Sequence, residues 1–294
     1  MSGFPDDFIA DLRWLKAWPS ILRSPWRQLY LAGLTFGETL RLVNEFVTGQ
    51  RLKILDVGCG RGWLSLELSR EGHYVLGLDS DPAMIEVARR SMESDPEKTE
   101  RGSLEHVVSD FSSWKHPVST FDLIIFSRVL HHVPKPESAV KQAHSLLRPG
   151  GRIICVEHAY DQFDRRGATW FYHVRRTLEH AGWYSSEKRL SENADASITE
   201  IMEEWFEPAR KEHFNRFDDM VKPLRKWFLE RSLSWEPYIY WDILTDMYVP
   251  DAEAENAVAR SVYAMERALV DTGAISPVLF CFVGDKEAGW SRTS

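Results

Sequence analysis

The stretch LKILDVGCGRG at residues 52–62 decides how the rest of the chain is read. Ile54, Leu55 and Val57 form a short apolar run of the kind a buried parallel strand carries. The run gives way to three alternating glycines, Gly58, Gly60 and Gly62, and apolar residues at helical spacing begin at Trp63. The order is strand, glycine turn, helix. Glycines let the backbone turn sharply and let a ligand approach without a Cβ in the way. The helix start beyond them offers unpaired N–H groups to a carboxylate or phosphate.

Outward from this turn, strand and helix patterns alternate. Residues 73–79 (HYVLGLD) read as a second strand ending in Asp79, and Asp81-Pro82 supplies an N-cap and a first-turn proline for the next helix. Residues 104–109 read as a third strand, followed by Asp110-Phe111. FDLIIF (121–126) is a fourth strand, residues 136–147 a helix, and RIICVE (152–157) a fifth strand. This alternation implies an α/β fold with a parallel sheet and helices on both faces. Right-handed crossovers bring the C-terminal ends of the strands to one edge, where ligands of open α/β sheets bind.

The flanks differ. Two helical regions precede the first strand, one through Phe8, Ile9, Leu12 and Leu15, another over residues 25–31 and 36–47. From about Ala159 to Trp235 the pattern is mostly helical and rich in aromatic residues. EPYIYWDIL (236–244) reads as a sixth strand, residues 252–270 as a helix, and PVLFCFV (277–283) as a last strand. The division that follows is an N-terminal helical lid at 1–50, a core at 51–160 and 236–285, and a helical insertion, the substrate cap, at 160–235.

The glycine spacing separates two nucleotide-binding patterns. A dinucleotide site carries G-x-G-x-x-G with an acid about twenty residues on. Here the pattern is D-x-G-x-G-x-G, Asp56 through Gly62, with Asp79 as the later acid. This resembles the first motif of the class I S-adenosylmethionine-dependent methyltransferases, and the spacing disfavours a nicotinamide dehydrogenase. The resemblance covers five motif positions along residues 52–158. It implies a Rossmann-like fold with a seven-stranded, mostly parallel sheet, and S-adenosyl-L-methionine as cofactor.

Carried over residue by residue, the resemblance gives the glycine turn (Asp56, Gly58, Cys59, Gly60, Gly62) to the methionyl part of the cofactor. Asp79, with Ser80 and Met84 after it, goes to the ribose, and Asp110-Phe111 to the adenine. Ser127 ends the fourth strand beside the same site. Each keeps a plainer reading: Asp79 and Asp110 as turn residues, Cys59 as a small filler. Trp26 and Tyr30 are read either as rings packing helices onto the sheet or as an aromatic face near the sulfonium. SRVLHHV (127–133) and LLRPGG (146–151) resemble the branch that methylates quinones and small metabolites.

Methyl transfer from a sulfonium needs alignment, exclusion of water and, for some acceptors, removal of a proton. A base belongs at the strand ends, where His131, Glu157 and His158 are the candidates. A helix-start structural role is an equal reading for one of His131 and His132. The aromatic insertion suits a bulky or flat organic acceptor, a small molecule or short peptide, although most of its rings are expected to pack the added helices together. Secondary metabolism is the expected setting. A cofactor-retaining cyclase-like catalyst on the same fold is the main rival, and a peptide or protein methyltransferase another.

Composition narrows the classes. The 294 residues carry a net charge of −8 and 44% hydrophobic residues. That charge argues against nucleic acid, whose binders usually show a basic footprint. The Asn/Asp-Pro-Pro-aromatic motif of amino-methylating DNA enzymes is replaced here by Ser127-Arg128-Val129-Leu130. No run approaches a membrane span, and the acidic start reads as neither a secretory signal nor a myristoylation site. Cys59, Cys155 and Cys281 are widely spaced and form no CxxC, so neither a disulfide framework nor a metal site is expected. A cytoplasmic enzyme is the expectation.

Overall fold

The computed structural model describes residues 29–185, 188–245, 247 and 252–287. The helix expected near residues 8–15, and Trp26, lie outside them, as does the side chain of Tyr30. The two helical stretches expected over 25–31 and 36–47 become one helix over the described residues, α1 (Leu29–Phe46), because no proline interrupts them. The expected alternation then follows: β1 (Lys53–Val57), α2 (Trp63–Arg70), β2 (Tyr74–Asp79), α3 (Pro82–Glu93), β3 (Leu104–Val108), β4 (Phe121–Ser127), α4 (Pro136–Leu146) and β5 (Leu147–His158).

Beyond β5 come α5 (Arg165–His180), α6 (Ala194–Lys211), α7 (Phe217–Trp227), β6 (Leu229–Glu236), α8 (Ile239–Leu244), α9 (Ala252–Asp271) and β7 (Leu279–Asp285). The strands form one seven-stranded sheet in the order β3-β2-β1-β4-β5-β7-β6. β1 through β5 are mutually parallel, and β7 runs antiparallel between β5 and β6. The strand order reverses between β1 and β4, which places a crevice at their C-terminal ends.

The period-2 alternation of the strands builds two cores. Leu55, Val57, Ile124, Phe126, Ile153 and Cys155 face α4 and α7. Ile54, Leu123, Ile125, Ile154 and Val156 face α1 and α2. A third cluster stands apart from the sheet and joins α1, α5, α6, α8 and α9 through Leu31, Phe171, Trp205, Ile239, Tyr240 and Val262. Most of the aromatic rings counted toward the cap pack helices together, as expected.

The strand expected at 236–244 is a correction. The sixth strand is β6, Leu229–Glu236, and most of the expected segment is helix α8. β6 is an edge strand with an exposed N-terminal half, so its polar sequence LERSLSWE lacks the apolar run that marks a central strand. In α8 five of six side chains are buried, and a short helix buried almost all round shows the same unbroken apolar run as a buried strand. β6 and α7, which packs against α4 and the sheet, fall within the 160–235 segment, whereas α8 and α9 join the helical cluster.

Candidate active site

The crevice at the strand-order reversal is a cleft of about 270 Å³, walled by Gly58, Leu78, Asp79, Ser80, Asp110 and Phe111 on one side and by Val129, His132, Val133 and Pro134 on the other. Five of the residues expected to meet the cofactor, Gly58, Asp79, Ser80, Asp110 and Phe111, therefore line one space.

Local physics sets the turn. Gly58 has φ +66°, and a Cβ there would come 2.3 Å from Cγ2 of Val129. Gly62 has φ +74°, and a Cβ there would meet His106 Nε2 at 2.5 Å. Both positions combine left-handed backbone with close approach, a demand only glycine meets. Gly58 and Cys59 donate to the Leu78 carbonyl at 2.7 and 3.0 Å, locking the turn to the end of β2.

Asp79 is the hinge of the arrangement. Its Oδ2 accepts the Gly60 N–H at 2.9 Å and its Oδ1 the Asp81 N–H at 2.9 Å. Each oxygen keeps a further lone pair. Asp110 accepts the Ser112 N–H at 2.8 Å, and the Phe111 ring stands edge-on to Phe126 with centroids 5.6 Å apart.

Other expected residues sit elsewhere. Asp56 is buried beneath the turn, where Ser65 Oγ donates to it at 2.6 Å, and burial pushes its carboxyl up to about 7. It ties β1 to α2 and does not line the cleft. Cys59 packs toward β2, where a Cβ on Gly77 would meet its sulfur at 2.9 Å, and burial pushes its thiol up. Gly60, Gly62, Met84 on the first turn of α3 and Ser127 at the end of β4 are close in sequence to the cleft but do not form its walls.

The three candidate bases come together. Glu157 is fully buried at the end of β5, and its Oε1 accepts the N–H groups of Val129 (2.8 Å) and Leu130 (2.6 Å). Its Oε2 pairs with His131 Nδ1 at 2.7 Å. This carboxylate fixes the turn after β4 and aims His131. The His158 ring lies 5.4 Å from His131, 5.1 Å from Tyr160 and 4.2 Å from Tyr238. Burial, with the charges of Arg128, His131 and His132, holds the His158 imidazole well below its usual range.

One contributor, Asn215, escaped the sequence, and His132, read there only as one of two histidines with a helix-start role, joins the cleft wall. Asn215 donates through Nδ2 to the carbonyls of Leu130 (3.0 Å) and Val133 (2.7 Å) and through its N–H to that of His131 (2.8 Å), latching the segment after α6 onto the cleft wall. His132 forms part of that wall, and burial and its neighbour His131 lower its imidazole. Adjacency of His132 to a strand end was a readable signal; for Asn215 there was none.

The comparisons agree with this geometry. The family model described as a methyltransferase domain matches residues 27–200, more than half of the chain. A ubiquinone biosynthesis O-methyltransferase of Coxiella burnetii (strain Dugway 5J108-111) is 30% identical over 115 residues, 39% of this chain and 47% of that protein. The chain thus spans about half the length of the curated relatives it matches. Among solved structures, geranyl diphosphate C-methyltransferase from Streptomyces coelicolor A3(2) is similar at a TM-score of 0.53 and 13% identity, over 90% of this chain and 86% of that one. The [4+2]-cyclase SpnF is similar at 0.51 and 17%, over 86% and 82%. At such identities these two likenesses speak to the fold alone. With a glycine turn pinned to β2, an acid at each neighbouring strand end and a family model running across both, this chain belongs to the methyltransferase domain family.

Proposed function

We propose that the protein transfers a methyl group from S-adenosyl-L-methionine to a small organic molecule or short peptide, at oxygen, nitrogen or carbon. The observation that carries the reading is the placing of the Asp79 carboxylate and Asp110-Phe111 side by side along one wall of a single cleft. Asp79 keeps one lone pair on each oxygen for neighbouring ribose hydroxyls, the charge-assisted kind of hydrogen bond. Phe111, Leu78, Val129 and Val133 offer apolar walls to a flat base, and Asp110 an acceptor for its amino group. The absent Cβ at Gly58 leaves room beside Val129. These residues fit the nucleoside.

When bound, the donor supplies a methyl already activated by positive sulfur. The chain then has to align the acceptor and keep water out, and orientation of that kind is worth effective molarities of about 10⁵–10⁸ M. We assign His131, held by Glu157, to ordering the turn beside the transfer point, and His158 to the acceptor side. Residues 1–50 serve as lid and the 160–235 segment as substrate cap. The relatives named for quinone O-methylation support a small acceptor, and we place it among secondary metabolites. A net charge of −8 supports an acceptor other than nucleic acid. Among the described residues no helix is long and apolar enough to cross a membrane. The three cysteines are buried and free, in keeping with a cytoplasmic setting.

Calorimetry with adenosylhomocysteine, followed by labelled-methyl transfer to candidate acceptors, tests the reading. Saturable heat and a labelled product are expected. Silence toward adenosylhomocysteine with clear saturation by NADH overturns it, and cofactor binding with cyclised but unlabelled product favours the cyclase rival.

A further inference from the structure

The turn that follows β4 holds a cation without an anion. Arg128 sits there with φ +56°, left-handed backbone that a non-glycine residue adopts at a cost. Its N–H donates to the Val156 carbonyl at 2.8 Å and its Nη2 to Thr39 Oγ1 at 2.9 Å, so β5 and α1 fix it from two sides. The acids of those two elements are engaged elsewhere: Glu157 with His131 and the turn N–H groups, Glu38 and Glu45 with Arg41. Among the described residues Arg128 makes no ion pair, and its Nε is buried without a partner.

Other unsatisfied groups gather beside it. The guanidinium carbon lies 5.9 Å from the centre of the Tyr238 ring. That ring packs on His158 with centroids 4.2 Å apart, and Tyr160 flanks His158 at 5.1 Å. His158 Nδ1 is buried without a partner. Arg128, Tyr160 and Tyr238 are each partly exposed, and neither phenol hydroxyl makes a hydrogen bond among the described residues. Polar atoms on four side chains around one set of rings thus lack protein partners. Such groups are costly inside a protein and persist where a ligand completes them. Val129, the residue after Arg128, stands in the wall of the cofactor cleft, so the cluster adjoins that cleft.

We propose that Arg128 recognises an anion at the acceptor site: the free edge of its guanidinium takes a carboxylate carried by the methyl acceptor, whose flat body lies along Tyr238, Tyr160 and His158. This rests on the methyl-transfer reading and narrows its acceptor. Thr39 uses one hydrogen of Nη2, which leaves the other and both on Nη1 as a fork that matches the two oxygens of a carboxylate. The donor brings a second positive charge, on sulfur, so an anionic acceptor is attracted and an ammonium acceptor repelled. The aromatic rings favour a planar body. Two carboxylates enter such a site, the acceptor's and that of the donor's methionyl end. Arg128 is turned toward Tyr238 and Thr39 and is absent from the walls of the cofactor cleft, which favours the acceptor's.

The test titrates benzoate and its uncharged isostere benzamide into the full chain loaded with adenosylhomocysteine, by calorimetry or ligand-observed NMR. Wild type should bind benzoate saturably and benzamide at least tenfold more weakly. Arg128→Gln should lose at least tenfold in benzoate affinity, and Arg128→Lys, which keeps the charge without the fork, should fall between the two. All three should bind adenosylhomocysteine within threefold of one another. Arg128→Gly relieves the left-handed backbone and should melt no lower than wild type while losing benzoate as the Gln variant does. Equal binding of benzoate and benzamide by wild type overturns the assignment without recourse to any variant, as does benzoate affinity retained in Arg128→Gln. A glycine variant that melts well below wild type marks Arg128 as structural, and adenosylhomocysteine weakened tenfold in Arg128→Gln gives the fork to the donor's own carboxylate; either result also overturns it. Failure of wild type to bind adenosylhomocysteine instead overturns the methyl-transfer reading beneath it.

Discussion

Replacing Asp79 with alanine separates the site from the scaffold. The carboxylate braces the glycine turn through the Gly60 and Asp81 N–H groups, and in the proposed complex it also holds two ribose hydroxyls. Hydrogen bonds to a charged group contribute about 1.5–3 kcal/mol each. Losing both ribose bonds weakens cofactor binding by about 3–6 kcal/mol, or roughly 10²- to 10⁴-fold at about 1.4 kcal/mol per decade. Asp79 is only half-buried, so water replaces much of what the two loop bonds lose, and the ligand-free protein should fall by about 1 kcal/mol. Asp81→Ala is the control. It removes the N-cap bond to Ala83 (2.8 Å), costs a similar ~1 kcal/mol and touches no ribose. Calorimetry with adenosylhomocysteine and thermal melts on the three proteins decide the matter. If Asp79→Ala binds within threefold of wild type, or Asp81→Ala weakens binding equally, the ribose is misplaced.

Gly58→Ala should cost far more stability than Gly60→Ala. Both impose the ~1–2 kcal/mol left-handed strain, but only the first drives a Cβ to 2.3 Å from Val129, while Gly60 has nothing within 4 Å; equal urea midpoints would refute this. Glu157→Ala strands two buried N–H groups and His131, a loss of about 3–5 kcal/mol, whereas Glu157→Gln keeps an acceptor for the N–H pair and should recover much of it. A Gln variant as unstable as the Ala variant would show that the brace depends on charge rather than shape. Asp56 is raised in the folded chain from near 4 to about 7, so the folded state holds a proton that the unfolded state releases across that window. Its contribution to stability therefore falls as pH rises from about 4 to 7, and Asp56→Asn should gain on wild type over that range. Urea midpoints at pH 4.5, 5.5 and 7.5 that keep a constant difference would count against it.

The sequence by itself determined the parallel half of the sheet and the cleft's near wall. Strands buried on both faces are unbroken apolar runs, so β1, β2, β4 and β5 were legible, and the residues just after them inherit their position from the strand. Gly58 and Asp79 were found for that reason, and Asp110-Phe111 from its place just after the third strand, β3. The helix at 252–270 and the last strand at 277–283 were legible as well, as α9 and β7; only the tertiary structure decided β6, α8 and the long-range pairings. β6 is a polar edge strand, and α8 hides its helical period because five of its six side chains are buried. The groups that brace the turn after β4 and the start of α8 are joined across long stretches of chain: Glu157 to Leu130, Asn215 to Val133, Glu266 to Tyr238. Periodicity tells a residue which face it occupies. It carries no information on which distant backbone a buried carboxylate or amide will satisfy, because that pairing is set when the helices close over the sheet.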